Sequence, residues 1–413
     1  MIIGENMKLN FSTKYIRLLL PLIVILTACE QSPIFYNIMQ EVARRNPRIE
    51  GTPSNMVIFE RDGVQTMYVG SNKLHWYAKP DDPESQKEPM KYWDEDKGRV
   101  PQPGGFIKEL ATTDTHLYAL CVSGRSTTLK RIGNAETDLA WETIEIAPGD
   151  DAAGYPYLQR VLSAGDKIFV GSVNNTEALS GAVLYLDNAD NTLKLLENDT
   201  FLLSGVVFDG NDFYFSTSSV IREDLGAMYR IQGGALPGTV EKLAKVSGSS
   251  GETNPEFLAM IVLEKDSTKN ILAMDRRGRI YTVNPSGFAG LSSTMGTFTG
   301  GSLSVYLTTE NADPILLAGY QGEWTLTTTG SSYGYREAGL EWNTDGTLKS
   351  VTFREPGVSV LGDYDQYYSS LGTIPVNHMF QPPNYINNYG TVLFASTVNE
   401  GLWSFRFRDS EGK

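Results

Sequence analysis

Short apolar runs, rather than helical periodicity, dominate the pattern of hydrophobic and polar positions in this chain. A typical unit is "KIFVGSVNNTEALSGAVLYLD" from Lys167, in which an apolar strand ends in a small residue, turns, and returns as a second strand with an aromatic residue. Apolar runs of about four to eight residues bounded by turn signals are typical of strands that are covered on both faces. Helical spacing is confined to residues 36–45. The unit occurs seven times, from Thr66, Leu117, Lys167, Asp212, Asn270, Pro314 and Thr391.

Most of these units extend to four strands. Another strand and a tight turn precede most copies, as in "VIFERDG" before the first, and several copies are followed by an outer strand that includes charge, such as "WETIEI" from Trp141. Four short antiparallel strands per unit, repeated about seven times, are the signature of a β-propeller. We therefore predict an all-β fold, a single β-propeller of seven four-stranded blades. Six or eight blades remain open, because "GLEWNTDGTLKSVTF" within residues 330–382 fits either the sixth blade or an additional one.

The last unit supplies at most three strands. "GTVLFASTVNEGLWSFRF", residues 390–407, reads as a hairpin, and an isolated two-stranded hairpin is at best marginally stable in water. We predict that an N-terminal strand from residues 34–52 closes the last blade, with "IFYNIM" at 34–39 as the candidate and a helix as the competing interpretation. Such a closure removes the free edges that an open sheet would present.

The first 28 residues have the layout of an export signal. Basic residues precede an apolar run at 18–26, which is too short to span a bilayer. The following Leu26-Thr27-Ala28-Cys29 resembles the lipobox of bacterial lipoproteins, in which the cysteine thiol receives a diacylglycerol and becomes the first mature residue. The resemblance implies that acylated Cys29 attaches the protein to a membrane. Several acyl chains, at about 0.8 kcal/mol per buried methylene, would hold it firmly.

Repeats and lipobox together resemble the bacterial β-propeller lipoproteins. The similarity is architectural, since the chain has no repeated Trp-Asp dipeptide and no Ser-x-Asp-x-Gly-x-Thr-Trp box. It implies a location in the bacterial cell envelope, either periplasmic or exposed on the surface. The implied organisation is a signal peptide at 1–28, a lipid-anchored segment with the ring-closing strand at 29–54, the propeller at 55–408 and a tail at 409–413.

The chain is acidic, with a formal net charge of −14 at pH 7. Such a surface repels phosphate backbones, so we expect no nucleic acid partner. If Cys29 is acylated, Cys121 in "LYALCV" is the one thiol left in the sequence. Its apolar surroundings predict a buried, unreactive side chain.

Long loops are predicted to gather on one face of the ring. Turns between first and second strands are short, whereas length accumulates between blades and between second and third strands, which emerge on the same side. Long loops that a compact domain does not need are usually functional or disordered. Flat aromatic rings beside acidic residues suit recognition of protein or carbohydrate, although each tyrosine could instead anchor its loop. The candidate binding residues are Trp93, Asp151, Tyr155, Tyr157, Arg222, Asp363, Tyr364, Asp365, Tyr367 and Tyr368.

Known catalytic motifs are missing from the sequence. His75, His116 and His378 are far apart, and there is no Gly-x-Ser-x-Gly elbow, phosphate-binding loop or His-Glu-x-x-His. Asp94 and Asp96 could bind calcium, but no EF-hand continuation follows, and a solvated acidic loop is the simpler interpretation. We predict no catalytic residue, no cofactor and no metal site.

Two functions fit these observations. The favoured hypothesis is a membrane-anchored scaffold that binds a protein partner, in the envelope or outside the cell, through the long loops. The alternative is a propeller enzyme that acts on glycans or small lactones with acidic residues near the central channel. Glycoside cleavage would require a pair of carboxyl groups about 5 to 9 Å apart.

Overall fold

The computed structural model places β-strands throughout the segments that it describes, and those segments contain no α-helix. None of the helical turns in these segments is long and apolar enough to cross a membrane. Contacts divide the chain into a larger unit, 47–355 with 369–413, and a smaller one, 1–46 with 356–368. The described residues are 49–78, 89–95, 100–135, 137, 140–175, 180–198, 202–219, 226–291, 300–307, 314–320, 335–353, 355–356, 366–367, 374–382, 386–387 and 390–407.

Six antiparallel groups of four strands follow one another along the larger unit, each group ordered as in the sequence. They are β1 (Met56–Arg61), β2 (Val64–Gly70), β3 (Leu74–Tyr77) and β4 (Trp93–Asp94); β5 (Phe106–Thr112), β6 (His116–Ser123), β7 (Ser126–Gly133) and β8 (Glu142–Ile146); β9 (Tyr157–Ala164), β10 (Lys167–Val173), β11 (Gly181–Asp187) and β12 (Thr192–Glu197); β13 (Leu202–Phe208), β14 (Phe213–Ser218), β15 (Gly226–Ile231) and β16 (Val240–Leu243); β17 (Phe257–Lys265), β18 (Thr268–Asp275), β19 (Ile280–Asn284) and β20 (Gly287–Gly290); β21 (Gly300–Tyr306), β22 (Ile315–Tyr320), β23 (Tyr335–Trp342) and β24 (Leu348–Phe353).

A further sheet follows near the C-terminus. The short strands β25 (Glu355–Pro356) and β26 (Gln366–Tyr367) precede it in sequence. It comprises β27 (Val376–Phe380), β28 (Ile386–Asn387), β29 (Gly390–Thr397) and β30 (Leu402–Phe407). β27 and β28 pair with one edge of β29 and β30 pairs with the other, so this sheet is three strands deep in its described residues. Short 3-10 turns lie at Pro89–Tyr92, Asp151–Gly154 and Gln232–Gly234.

The first strands of the sheets contact one another in chain order. β1 contacts β5, β5 contacts β9, and the series continues through β13, β17, β21 and β27. Because β27 in turn contacts β1, these sheets close into a ring with their first strands innermost. The prediction of an all-β propeller is confirmed, and we number the sheets as blades 1 to 7 in chain order.

Hydrogen bonds join the two ends of the ring. Leu402 N donates to Ile49 O at 2.9 Å, and Ser396 Oγ donates to Ser54 O at 2.6 Å. The residues just before β1 therefore pair with the C-terminal hairpin of β29 and β30. The strand predicted at 34–39 lies outside the described residues.

Burial on both faces explains why the strands carry continuous apolar runs. In β6, Leu117, Ala119 and Cys121 belong to the core shared with blade 1, whereas Tyr118 and Leu120 belong to the core shared with blade 3. Successive side chains of a strand point to opposite faces, so one apolar run packs against both the preceding and the following blade. The buried position of Cys121 agrees with the expectation from its sequence context, and this burial raises the pKa of its thiol to about 11.

The glycine near the end of the second strand has a packing reason in blades 1 and 3. A Cβ atom on Gly70 would lie 2.6 Å from Cβ of Ile107 in the next blade, and one on Gly171 would lie 2.9 Å from Cβ of Leu203. Contacts between carbon atoms are favourable at about 3.5–4.0 Å. At these two positions, glycine thus allows the first strand of the following blade to pack closely against the second strand.

Blades 2 and 3 are also joined at their outer edges. β8 and β12 pair in parallel, with Thr192 opposite Glu145 and Leu193 opposite Ile146. Ala147 N extends the connection by donating to Leu193 O at 2.9 Å. Each fourth strand here covers the exposed edge of the other.

Candidate functional site

Trp93 is a core residue, which contradicts the prediction that it lies on the binding face. It belongs to β4, which pairs with Tyr77 of β3, and its side chain is only 1% exposed. The indole packs edge-on against Tyr77 and Phe394, with ring centroids 5.1 and 5.6 Å away. Strand pairing therefore directs this ring into the interface between blades 1 and 7.

Three other predicted residues lie in the connection between blades 2 and 3. Asp151 is exposed and begins a 3-10 turn that the Asp150 carboxylate caps by accepting from Ala152 N at 2.9 Å. Tyr155 is half-buried and packs against the core of these two blades, and Tyr157 begins β9. Tyr155 thus anchors its loop, while Asp151 is accessible to a partner.

The remaining predicted residues are not placed together by the described segments. Of Tyr367 only the backbone strand is described. The residues outside the described segments are Arg222, Asp363, Tyr364, Asp365 and Tyr368.

An open cavity of ≈ 850 Å³ lies where the first strands meet. Its wall comes from the first strands of blades 2 to 7 and from residues 52 and 55, just before β1. Most lining residues fall in the first half of those strands, on the side where the chain arrives from the preceding blade, while Leu162 and Ser163 lie further along β9. We call this side of the ring the loop face.

Each blade has one extra residue at or just before the start of its first strand, and in every blade except blade 3 that residue lines the cavity. In the pairing of β5 with β6, Lys108 has no partner opposite it. In blade 1, Ser54 bonds to Gly70 and Met56 pairs with Val69, so Asn55 between them has no pairing partner in β2. Such β-bulges re-aim side chains and are over-represented next to active sites. The ring therefore presents one bulged residue per blade to the cavity region: Asn55, Lys108, Gln159, Ser204, Leu258, Gly301 and Asn377.

The bulged residues divide the ring into two chemically different arcs. Blades 7, 1, 2 and 3 contribute amide and ammonium groups, whereas blades 4 to 6 contribute serine, leucine and glycine. On the second arc the wall is completed by Val206, Met260 and Leu303. The cavity thus has a polar side and an apolar side.

Arg160 and Glu109 form an ion pair on the polar side. Arg160 Nε donates to both carboxylate oxygens of Glu109, at 2.9 and 3.1 Å, and Val161 N donates to Glu109 Oε2 at 2.7 Å. Both bonds of the guanidinium use Nε, so its two terminal NH₂ groups have no hydrogen-bond partner among the described residues. The side chain of Arg160 remains 33% exposed.

Lys108 lies beside this pair. Its Nζ donates to Gln159 Oε1 at 2.9 Å, which is its one hydrogen bond among the described residues. The side chain is exposed, but neighbouring protein atoms remove part of its hydration, and this desolvation, together with the Arg160 charge, lowers the pKa of the ammonium. The polar side therefore holds two cations against one carboxylate in its described residues.

His378 follows the bulge of blade 7 and is neutral at pH 7. Its Nδ1 accepts from Met56 N at 3.4 Å across the junction of blades 7 and 1. Burial, assisted by the Arg160 charge, lowers the pKa of His378 to about 4. Because Nδ1 accepts a hydrogen bond, the ring proton is on Nε2.

Carboxylate chemistry in the cavity is limited to Glu109 among the lining residues that the structure describes. Both of its oxygens already accept hydrogen bonds, so these residues do not supply the acid pair that glycoside cleavage requires. Within the same described part of the chain, no group of three or more His, Cys, Asp or Glu residues is placed to hold a metal ion.

Sequence reasoning did not identify Lys108, Arg160 or His378 as site residues. A signal was present, because two adjacent polar residues interrupt an apolar run in "IKEL", "LQRV" and "VNHM". Such a pair breaks the two-residue period of a strand at one point, as a bulge does. The sequence signal shows where each first strand departs from regular pairing. Only the closed ring shows that the polar pairs of different blades lie around one cavity.

No protein family and no curated protein matches the sequence. Among solved structures, the extracellular domains 1-2 of Drosophila Semaphorin 1a match with a TM-score of 0.51 and 10% identity, over 89% of this chain and 88% of that chain. YCF48 from Cyanidioschyzon merolae matches with a TM-score of 0.45 and 12% identity, over 87% and 97% of the two chains. A chain of the Mitotic Checkpoint Complex matches with a TM-score of 0.48 and 10% identity, over 88% and 95%. The similarity to the semaphorin domains supports the propeller architecture and extends to the fold alone.

Proposed function

We propose that this protein is a lipid-anchored β-propeller of the bacterial cell envelope that binds a protein partner on its loop face, around the mouth of the central cavity. The observation that carries the proposal is the position of the cavity. It opens where the connections between blades arrive, in a ring whose blades are packed on both faces. A rigid scaffold with variable connections at one face is the usual arrangement of a binding surface.

Side chains at this face are suited to protein recognition. Phe106, at the start of β5, is one of the few exposed large apolar residues in the described segments. Arg277 is 66% exposed and donates to Glu252 at 3.2 Å in the neighbourhood of the turn between β18 and β19. An aromatic anchor with a charged periphery is the common composition of a protein interface.

The lipid anchor rests on the lipobox at Cys29, which lies outside the described residues. It supports the envelope location, because an acylated N-terminal cysteine would place the ring next to a membrane. The first described residue, Ile49, accepts a hydrogen bond from Leu402 N of blade 7.

Site-specific photo-crosslinking tests the proposed face. A photoreactive amino acid replaces Phe106 in the full chain, expressed in its native host, and the matched control replaces Val64 at the short turn on the opposite side. The two side chains are 36% and 40% exposed, so accessibility does not distinguish them. We expect a discrete protein adduct from position 106 and none from position 64.

Adducts of equal yield from both positions would contradict a binding face. The same holds if position 106 gives no protein adduct while the chain is correctly localised. Mass spectrometry of the adduct identifies the partner directly.

A further inference from the structure

The cavity wall carries positive charge in an acidic protein. Lys108 and Arg160 face one carboxylate, Glu109, among the described lining residues, although the whole chain has a net charge of −14. Neighbouring positive groups whose donors are not all used attract an anion. The surplus lies on one side of the cavity, at the bulges of blades 2 and 3.

Unused donors point to the kind of anion. The terminal NH₂ groups of Arg160 have no hydrogen-bond partner among the described residues, and Lys108 Nζ uses one of its three protons on Gln159. A carboxylate fits a guanidinium that lies beside an ammonium, because its two oxygens can accept parallel hydrogen bonds from the guanidinium.

The opposite wall is apolar. Leu258 and Met260 of blade 5 are half-buried in the cavity lining, and Val206 of blade 4 and Leu303 of blade 6 line it with 8% exposure each. A ligand that satisfies both sides has one charged end and an apolar body. The cavity of ≈ 850 Å³ is within the range of about 300–1,000 Å³ that is usual for small-molecule sites.

We propose that the central cavity binds a monocarboxylate with an apolar body, its carboxylate held by Lys108 and Arg160 and its body against Leu258 and Met260. The proposal does not depend on the partner at the loop face. The same chemistry could come from a free organic acid or from the carboxyl terminus of a peptide that ends in an apolar residue, and the experiment separates these sources.

Ligand-observed NMR titration of the full chain in detergent provides the test. The probes are hexanoate and its uncharged isostere hexanamide, with N-acetyl-Ala-Leu and its C-terminal amide as the peptide arm. We expect hexanoate or the free-acid peptide to bind at least tenfold more tightly than the matching amide, because a hydrogen bond to a charged group contributes a factor of about ten or more. Tighter binding by the peptide identifies a chain terminus as the ligand, and tighter binding by hexanoate identifies a free acid.

Two variants locate the site. Lys108→Met should lower the carboxylate affinity about tenfold or more, whereas Lys167→Met, which removes an equal charge at the start of β10 and away from the cavity, should leave it unchanged. Leu258→Asn should remove the preference for hexanoate over acetate while acetate binding persists. Thermal unfolding verifies that each variant is folded.

Three results would overturn the proposal. One is equal affinity for carboxylate and amide, and another is unchanged carboxylate affinity in folded Lys108→Met. The third is absence of binding by every carboxylate probe up to its solubility. None of these results bears on crosslinking at position 106, so the two proposals fail independently.

Discussion

Gly70 provides a direct test of how the blades are packed. It ends β2, and a Cβ atom placed on it would meet Cβ of Ile107 at 2.6 Å and would press against Cγ2 of the same residue. Cβ is fixed to the backbone, so no rotamer change of Ile107 relieves the contact. Gly70→Ala must therefore move β2 of blade 1 and β5 of blade 2 apart.

The displacement sets the magnitude. Favourable contact between carbon atoms begins at about 3.5 Å, so the strands would have to separate by about 1 Å. Overpacking of this kind costs about 1–3 kcal/mol, and Gly→Ala recovers about 0.4–1 kcal/mol by restricting the unfolded chain. The difference between these terms leads us to expect that Gly70→Ala lowers the free energy of unfolding by about 1–2 kcal/mol.

Urea unfolding followed by tryptophan fluorescence measures the effect. Gly339→Ala is the matched control, because Gly339 also lies in a strand, β23, and a Cβ there would have no neighbour within 4 Å. This control should be neutral or stabilising by about 0.4–1 kcal/mol. The pair differs in packing alone, since neither glycine has a positive φ.

A double-mutant cycle with Ile107→Ala identifies the contact. Ile107→Ala alone removes buried methyl groups and costs about 2–5 kcal/mol. The double variant should be less destabilised than the sum of the two by about 1 kcal/mol, because the nearest atom, Cγ2, is gone while Cβ remains. Equal stabilities of Gly70→Ala and Gly339→Ala, or strict additivity of the cycle, would refute the packing argument.

Three further outcomes are expected. Cys29→Ser should abolish incorporation of an alkyne-labelled palmitate and Cys121→Ser should not, whereas labelling lost only with Cys121 would refute the lipobox assignment. The pKa of His378 is lowered to about 4 from an ordinary 6.5, so the unfolded chain binds the proton more readily than the folded chain. The free energy of unfolding should therefore fall between about pH 6.5 and pH 4, by at most about 3 kcal/mol. His378→Gln should reduce this decline in urea titrations at a series of pH values. The Asn55 side chain makes two hydrogen bonds with the Leu110 backbone, at 2.7 and 2.8 Å. Asn55→Ala should therefore lower the free energy of unfolding by about 2–3 kcal/mol in the same assay, and an unchanged free energy would show that these bonds do not stabilise the ring.

The architecture could be predicted from the sequence because each blade repeats the same local constraints. Runs such as "LYALCV" alternate between two cores, so both faces must be apolar and the strand shows no polar period. A glycine such as Gly70 recurs because the next blade leaves no room for a side chain. These packing requirements act between neighbouring residues and neighbouring blades, so the sequence of a single repeat is enough to reveal them.

The candidate site could not be predicted in the same way. The sequence predicts Trp93 on the binding face because it occurs within a long connection between blades that starts at Lys79, but the pairing of β4 with β3 directs its ring into the core. The cavity depends on residues from every blade, so its composition follows from the closed ring and from the extra residue in each first strand. Polar pairs in "IKEL" and "LQRV" mark those positions without showing that they converge.

The bulges also explain why the cavity wall can differ so much from blade to blade. Positions between blades are restricted to residues that fill or clear a shared interface, whereas bulged residues such as Lys108 in blade 2 and Gly301 in blade 6 line the cavity, and both fit the same backbone. Lys108 occupies one of these cavity positions, and its Nζ uses one of its three protons on Gln159 Oε1. Arg160 lies beside it, and the described lining of the cavity holds one carboxylate, that of Glu109. Two cations with unused donors around one carboxylate form an arrangement that a bound anion would complete, so the proposed carboxylate ligand accounts for a lysine at this position.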